Sequence, residues 1–327
     1  MKRIKYAIFL LCSFAVLISL SGCRKSSENI KNIRFPTKYQ KNYKNFKFDT
    51  EIIVGKERQE FLYESSAQKI KFDTKTLQNQ IFSLEQGKLN GDIIKWKDGS
   101  SLIIDGDYLA FNSNSRDEEE INLGFSLFQD NYTADQFPVI DKNLEDKDEF
   151  KQISSQIANI GIEDAMFYKY YNLDNVSTST TKSEKAYWLG RQYYEGLPVL
   201  STTFYSGYND TWAPIQILYA EEKTEKMQIL YCFEFKKGNK KIQLKSFDQI
   251  AKSIEDEYKM LLTEKNYLVT KAELSFWVND NQVDNSFKMI PVWVLTIREY
   301  DKESDTDYVE YQELVNAETA ENIESGK

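Results

Sequence analysis

Between residues 46 and 112 the chain breaks into short runs of aromatic and β-branched residues, and two of the breaks are Asp98-Gly99 and Asp105-Gly106. Asp-Gly between such runs is the strongest short-range signal for a hairpin, because glycine supplies the positive φ that a tight turn between twisted strands requires. The runs at 46–54, 60–64, 92–96, 101–105 and 108–112 therefore predict an antiparallel sheet. The sequence extends that sheet through 121–128.

After an acidic connector at 141–149 the period changes. Phe150, Ile153, Ile157 and Ile160 recur at helical spacing, and Gly161 stands where such a helix stops. Strands are expected next at 166–171 and 186–194, followed by Leu197-Pro198-Val199. The order then returns: Phe247, Ile250, Ile254, Tyr258 and Leu261 form a second apolar stripe, with Ser246 and Gln249 spaced as a capping box. Strands at 269–278 and 289–299 follow, the second containing Ile290-Pro291-Val292-Trp293. The fold class read from this pattern is α+β, an antiparallel-sheet-rich body with two helix-plus-strands units in its C-terminal half, at 145–245 and 246–327. A diverged tandem repeat and a chance recurrence both fit a two-residue Pro-Val match.

The start of the chain reads differently. Lys2, Arg3 and Lys5 precede fourteen uncharged, mostly apolar residues at 7–20, too few to span about 30 Å of hydrocarbon as a helix. Leu20-Ser21-Gly22-Cys23 follows. This resembles the lipobox of bacterial lipoproteins, whose cysteine thiol takes a diacylglyceryl group before cleavage. The resemblance implies a signal peptide at 1–22, lipid on Cys23 and an address on the extracytoplasmic face of the cell membrane. Two or more acyl chains anchor stably where one is marginal. Residues 23–45 read as a tether with seven Lys or Arg (Arg24, Lys25, Lys31, Arg34, Lys38, Lys41, Lys44) against Glu28 alone. Such a segment favours an anionic surface, or it is a solvated spacer. Residues 46–144 are assigned to a β-rich N-terminal domain.

Beyond the tether the body holds fifty acidic against thirty-two basic residues. An acidic body without clustered Lys and Arg argues against nucleic acid. With Cys12 in the leader and Cys23 committed to lipid, Cys232 has no disulfide partner and reads as a small core residue rather than a reactive thiol.

The chain has no histidine. Ser-His-Asp and Cys-His catalysis and histidine-ligated zinc are thereby excluded, four-cysteine zinc is equally absent, and there is no glycine-rich phosphate loop. No cofactor, metal or catalytic residue is assigned. What remains for an enzyme is carboxylate chemistry on a glycoside, and fifty-one acids do not select a pair. The acidic runs at 117–120, 145–149 and 301–307 are solvated loops or calcium ligands without EF-hand spacing. Tyr168, Tyr170, Tyr171, Tyr187, Tyr193, Tyr194, Tyr205 and Tyr208 crowd one stretch. They form either a platform for a sugar or peptide or the alternating face of a sheet. Trp188, Trp277 and Trp293 are expected to fill the core.

From Ser246 onward the order of amphipathic helix, the strand Lys271-Ala272-Glu273-Leu274-Ser275-Phe276-Trp277, the strand Ile290-Pro291-Val292-Trp293 and a closing Leu314-Val315-Asn316-Ala317-Glu318-Thr319 is similar to PepSY-type and YycH/YycI-like extracytoplasmic modules. The whole chain resembles uncharacterised clostridial-type lipoproteins of the same layout. Ala320 stands where the module's closing turn carries glycine. The resemblance implies a non-enzymatic, protein-binding or regulatory role at the envelope. Proline cannot donate to a sheet ladder, so Pro198 and Pro291 mark candidate edges for an envelope partner. Arg191, Tyr193 and Tyr194 accompany Pro198 there, and Trp293 accompanies Pro291. The alternative is a carbohydrate-binding or carbohydrate-cleaving surface lipoprotein.

Overall fold

A computed structural model describes residues 35–55, 61–72, 77, 88–90, 93–113, 139–140, 143–162, 164–172, 185–201, 213–220, 222–260, 265–279, 286–301 and 307–323. The lipobox, the expected strand at 121–128, Tyr205, Tyr208, Leu261 of the second apolar stripe, the acidic run 117–120 and most of 301–307 lie outside them.

Strand follows strand: β1 Lys38–Tyr43, β2 Phe46–Ile53, β3 Leu62–Lys69, β4 Lys88–Asn90, β5 Ile93–Lys95, β6 Ser101–Asp105, β7 Tyr108–Asn112 and β8 Val139–Ile140. Helix α1, Asp148–Asn159, precedes β9 Ala165–Asn172, β10 Lys185–Tyr194, β11 Leu197–Ser201, β12 Ile215–Ala220, β13 Lys223–Leu230 and β14 Phe233–Ile242. Helix α2, Phe247–Met260, precedes β15 Asn266–Val278, β16 Phe287–Tyr300 and β17 Tyr308–Asn316. The chain is mostly β, and its strands pair mostly antiparallel.

The pairings build two sheets. In one, β1 pairs β2, β2 and β11 lie parallel to successive parts of β15, β15 pairs β16, and β16 is flanked along its length first by β3 and then by β17. β14 closes that sheet beside β3. The other sheet runs β4-β5-β6-β7-β13-β12-β10-β9-β8, each pair antiparallel. β6 and β7 meet at Asp105 and Tyr108 around Gly106, whose φ of 61° fits the hairpin expected there.

Among the described residues each sheet packs one α-helix. The α2 stripe of Phe247, Ile250, Ala251, Ile254 and Tyr258 buries against Phe46, Phe48, Val269, Leu274, Trp293 and Leu295. This helix starts with a reciprocal capping box, Ser246 N–H donating to Gln249 Oε1 (2.9 Å) and Gln249 N–H to Ser246 Oγ (3.4 Å). In α1, Ile153 and Ile157 bury against a separate core around Trp188, Ile215, Ile217 and Ile229. Phe167 and Tyr170 meet Trp188 edge-on, with centroids 5.7 and 4.8 Å away, contacts worth about 0.5–1.5 kcal/mol each. Gly161, at φ 88°, ends α1 where the sequence placed its stop.

The tether assignment is corrected at its C-terminal end. Lys38–Tyr43 is a strand in full register with β2, and Phe35 is buried 5.1 Å from the Trp293 ring. The segment is polar because β1 lies at a sheet edge, and only Tyr39 and Tyr43 turn towards the core.

Candidate partner-binding edge

The sequence-derived site divides into two groups. The first sits where the sheets meet. β10 pairs β9 and β12 along most of its length, and then Tyr193 and Tyr194 turn to pair Pro198 and Leu197 of β11, which enters the α2 sheet. Gln192 fastens this crossing, its Nε2 donating to Phe233 O (2.8 Å) and its Oε1 accepting from Phe233 N–H (2.7 Å). The side chain does what a neighbouring strand would do.

Arg191 packs beside it, 15% exposed, with its guanidinium 4.6 Å from the Tyr168 ring and 5.5 Å from that of Tyr193. Nη2 lies 3.5 Å from Glu273 Oε1 and donates to Tyr193 Oη at 3.4 Å. Burial by itself lowers the hold on the proton. The Glu273 carboxylate, with Tyr193 and Tyr168, outweighs it and keeps the guanidinium charged. The other oxygen of Glu273 faces Lys271 at 3.3 Å. Arg191, Tyr168 and Glu273 thus bind one another across the two sheets, while Pro198 is buried and Tyr194 packs against Phe235 and Phe276. Arg191 to Pro198 form a clasp rather than an open edge.

The second group is corrected outright. Pro291 and Trp293 are interior: β16 has β15 on one flank and β3 then β17 on the other, and Trp293 is 0% exposed. Proline is tolerated there for a local reason. Pro291 O accepts from Ala317 N–H (2.8 Å), so its ring nitrogen faces the seam where β3 stops at Met289 and β17 starts opposite Val292. Of the clustered tyrosines, Tyr170, Tyr171 and Tyr187 are buried within the sheet, Tyr168, Tyr193 and Tyr194 are half-buried, and Tyr205 and Tyr208 lie outside the described residues.

Where, then, is an open edge? In the α2 sheet β1 exposes Lys38 and Lys41, and β14 exposes Lys236, Lys237, Lys240 and Lys241 beside a register shift between Lys237 and Lys241. Lysines and bulges are how proteins keep sheet edges from pairing. In the other sheet β4, at one end, carries Lys88, and β9, which the two-residue β8 pairs only at Tyr170 and Tyr171, carries Lys169. β17 carries no lysine, and it exposes Tyr308 (45%) and Val309 (56%).

Among the described residues the outer flank of β17 is covered only near its end. Asn316 N–H donates to Glu321 O (2.8 Å) and Ile323 N–H to Leu314 O (2.7 Å). Even-numbered residues therefore direct their backbone groups outward. By the same alternation Tyr308, Glu310 and Gln312 face out, and among the described residues no strand pairs them.

Behind this edge lies an acid that sequence reasoning missed. Tyr311 and Glu313 point towards α2, where Tyr258 Oη is hydrogen-bonded to Tyr311 Oη (2.6 Å) and to a Glu313 carboxylate oxygen. Glu313 Oε2 is buried with no partner among the described residues. Burial raises the Glu313 pKa to about 6; the Tyr258 hydrogen bond opposes the rise and Glu257 adds to it. In the sequence Glu313 is one acid among fifty-one, and only the α2–β17 contact singles it out.

Elsewhere a shallow groove of about 540 Å³ between β1 and α2 is lined by Lys41, Asp248, Gln249, Lys252, Ser253 and Asp256. Its charges already pair, Lys41 with Asp248 and Lys252 with Asp256. Among the described residues no group of three or more Cys, Asp or Glu could hold a metal ion, and no helix is long and apolar enough to cross a membrane.

No protein-family model and no curated protein matches the chain. Among solved structures it is similar to an uncharacterised protein from Eubacterium rectale ATCC 33656, with a TM-score of 0.58 and 14% identity over 88% of this chain and 93% of that one. At that identity the likeness concerns the fold alone.

Proposed function

We propose that this chain is an extracytoplasmic lipoprotein, held on the cell membrane by lipid on Cys23, whose folded body binds an envelope protein through the outer flank of β17. The observation that carries the binding role is the contrast among edges. Lysine blunts β1, β14, β4 and β9, whereas β17 presents outward backbone groups at Tyr308, Glu310 and Gln312 next to exposed Tyr308 and Val309. An extended segment added there gains main-chain hydrogen bonds and side-chain contacts together. The anchor rests on the leader and on Leu20-Ser21-Gly22-Cys23. A regulatory or protein-binding role is also what the resemblance to PepSY-type and YycH/YycI-like modules implies.

The two helix-plus-strands units belong to the same reading. α1 followed by β9 and β10, and α2 followed by β15 and β16, each set a helix against an antiparallel pair over its own core. After that they diverge, β11 leaving for the α2 sheet while β17 stays beside β16.

The carbohydrate alternative draws on the tyrosine-rich stretch from Tyr168 to Tyr208 and on carboxylates; the Arg191 guanidinium already lies over two of those rings, Tyr168 and Tyr193. A glycan array separates the two readings.

Two substitutions test the proposal. Cys23→Ser should move the protein from the membrane to the soluble fraction, and full retention on membranes contradicts the anchor. Gln312→Pro deletes one outward N–H without touching the β16 ladder, so it should abolish partner binding and leave membrane attachment unchanged. Unaltered binding by this variant rules out the β17 edge.

A further inference from the structure

From the Glu313 oxygen that no described residue partners, beside the flank of β17 that no described strand pairs, we infer that the strand added there is cationic, carrying a lysine or arginine opposite Glu313. This rests on the β17 reading and adds the chemistry of the partner. Odd-numbered residues of β17 turn their backbone groups towards β16, so on the outer flank Glu313 occupies a non-hydrogen-bonded position. In an antiparallel pair that position brings the facing side chains closest, with Cα atoms about 4.5 Å apart. A lysine stem placed there is long enough to bring its ammonium to the carboxylate.

Among the described residues no lysine or arginine pairs with Glu313. Tyr258 and Glu257 of α2 act on it, Tyr311 of β17 adjoins it through Tyr258, and Lys265, beside Glu299, pairs with Glu299 and Asp301 instead. Tyr258 bonds one Glu313 oxygen, and Oε2 is left buried without a partner among the described residues. A buried carboxylate with one empty oxygen is a costly arrangement that a facing ammonium or guanidinium relieves. The nearby Glu310 offers no competing target, because Arg298 Nε already donates to it at 2.7 Å.

The test uses the purified lipoprotein in detergent and three synthetic extended peptides of alternating threonine and valine, identical except for lysine, glutamine or glutamate at the centre. Binding is read by fluorescence anisotropy at pH 7.5. The lysine peptide should bind about tenfold more tightly than the glutamine peptide, the size of one charge-assisted hydrogen bond, and the glutamate peptide most weakly. Glu313→Gln should erase this ranking, the lysine peptide losing its advantage over the glutamine peptide. Lowering the pH to 5, where Glu313 is protonated, should compress the ranking in the wild-type protein. Equal binding of all three peptides, lost in Gln312→Pro, overturns the cationic partner and leaves the edge standing. Binding that Gln312→Pro leaves intact, or no binding of any peptide, overturns both.

Discussion

Replacing Glu313 by glutamine should change how stability depends on pH more than how stable the fold is at any one pH. Burial holds the Glu313 carboxyl at about 6 instead of 4.5. Ionising it in the folded state therefore costs about 2 kcal/mol more than in the unfolded chain. A carboxyl with a raised folded-state pKa contributes its stability fully below the unfolded value, near pH 4.5, and loses it as pH climbs through 6. Asp49, Glu64, Asp98 and Asp256 act in the opposite sense, since hydrogen bonds from Lys38, Lys240, Ser100 and Lys252 respectively hold them below the ordinary range. Those groups are present in both proteins and cancel in the difference. Urea unfolding of Cys23→Ser and of Cys23→Ser/Glu313→Gln at pH 4.5, 5.5, 6.5 and 7.5 isolates the Glu313 contribution. The wild-type residue should lose about 2 kcal/mol relative to glutamine across that interval, most of it between pH 5 and 7. A difference that stays flat, or that grows in favour of Glu313 as pH rises, refutes the account of a desolvated acid at this corner.

Other substitutions probe the junction and the core. Gln192→Ala leaves the Phe233 N–H and C=O unpaired in a buried place and should cost about 2–4 kcal/mol, with faster hydrogen exchange at the Phe233 amide. An unchanged exchange rate would show that Gln192 does not hold the crossing. Gly55→Ala puts a methyl 2.7 Å from the Gly196 backbone oxygen at a φ of 70°, and a stability loss of about 1–3 kcal/mol is expected by thermal melting. Cys232 is 1% exposed and burial pushes its thiol pKa up, so maleimide should label it only on unfolding. Rapid labelling of the native protein contradicts that burial.

How much of this was legible beforehand depends on whether the deciding contact is local. The Asp105-Gly106 hairpin, both helix stripes, the Gly161 stop and the Ser246/Gln249 cap are short-range features, and each stands where the sequence placed it. β1 escaped because an edge strand with one wet face is nearly as polar as a tether, and its partner register with β2 is not written in its own composition. Pro291 misled because proline signals a missing donor without saying which flank lacks it. The junction of β3 and β17 absorbs that loss inside the sheet. The tyrosines of β9 and β10 suggested a surface, whereas the packing buries Tyr170, Tyr171 and Tyr187 and leaves the other three half-buried. Glu313 was invisible for the same kind of reason: its burial arises where β17 meets α2, whose Tyr258 lies fifty-five positions away.

The most direct test of the central claim is photo-crosslinking in intact cells of the native host. A benzophenone amino acid is placed singly at Gln312 on β17, Gln40 on β1 and Lys236 on β14. The account expects a discrete adduct with a membrane or envelope protein from position 312 alone, suppressed when the Cys23→Ser change frees the protein from the membrane. The same adduct from all three edges, or none from position 312, would contradict it.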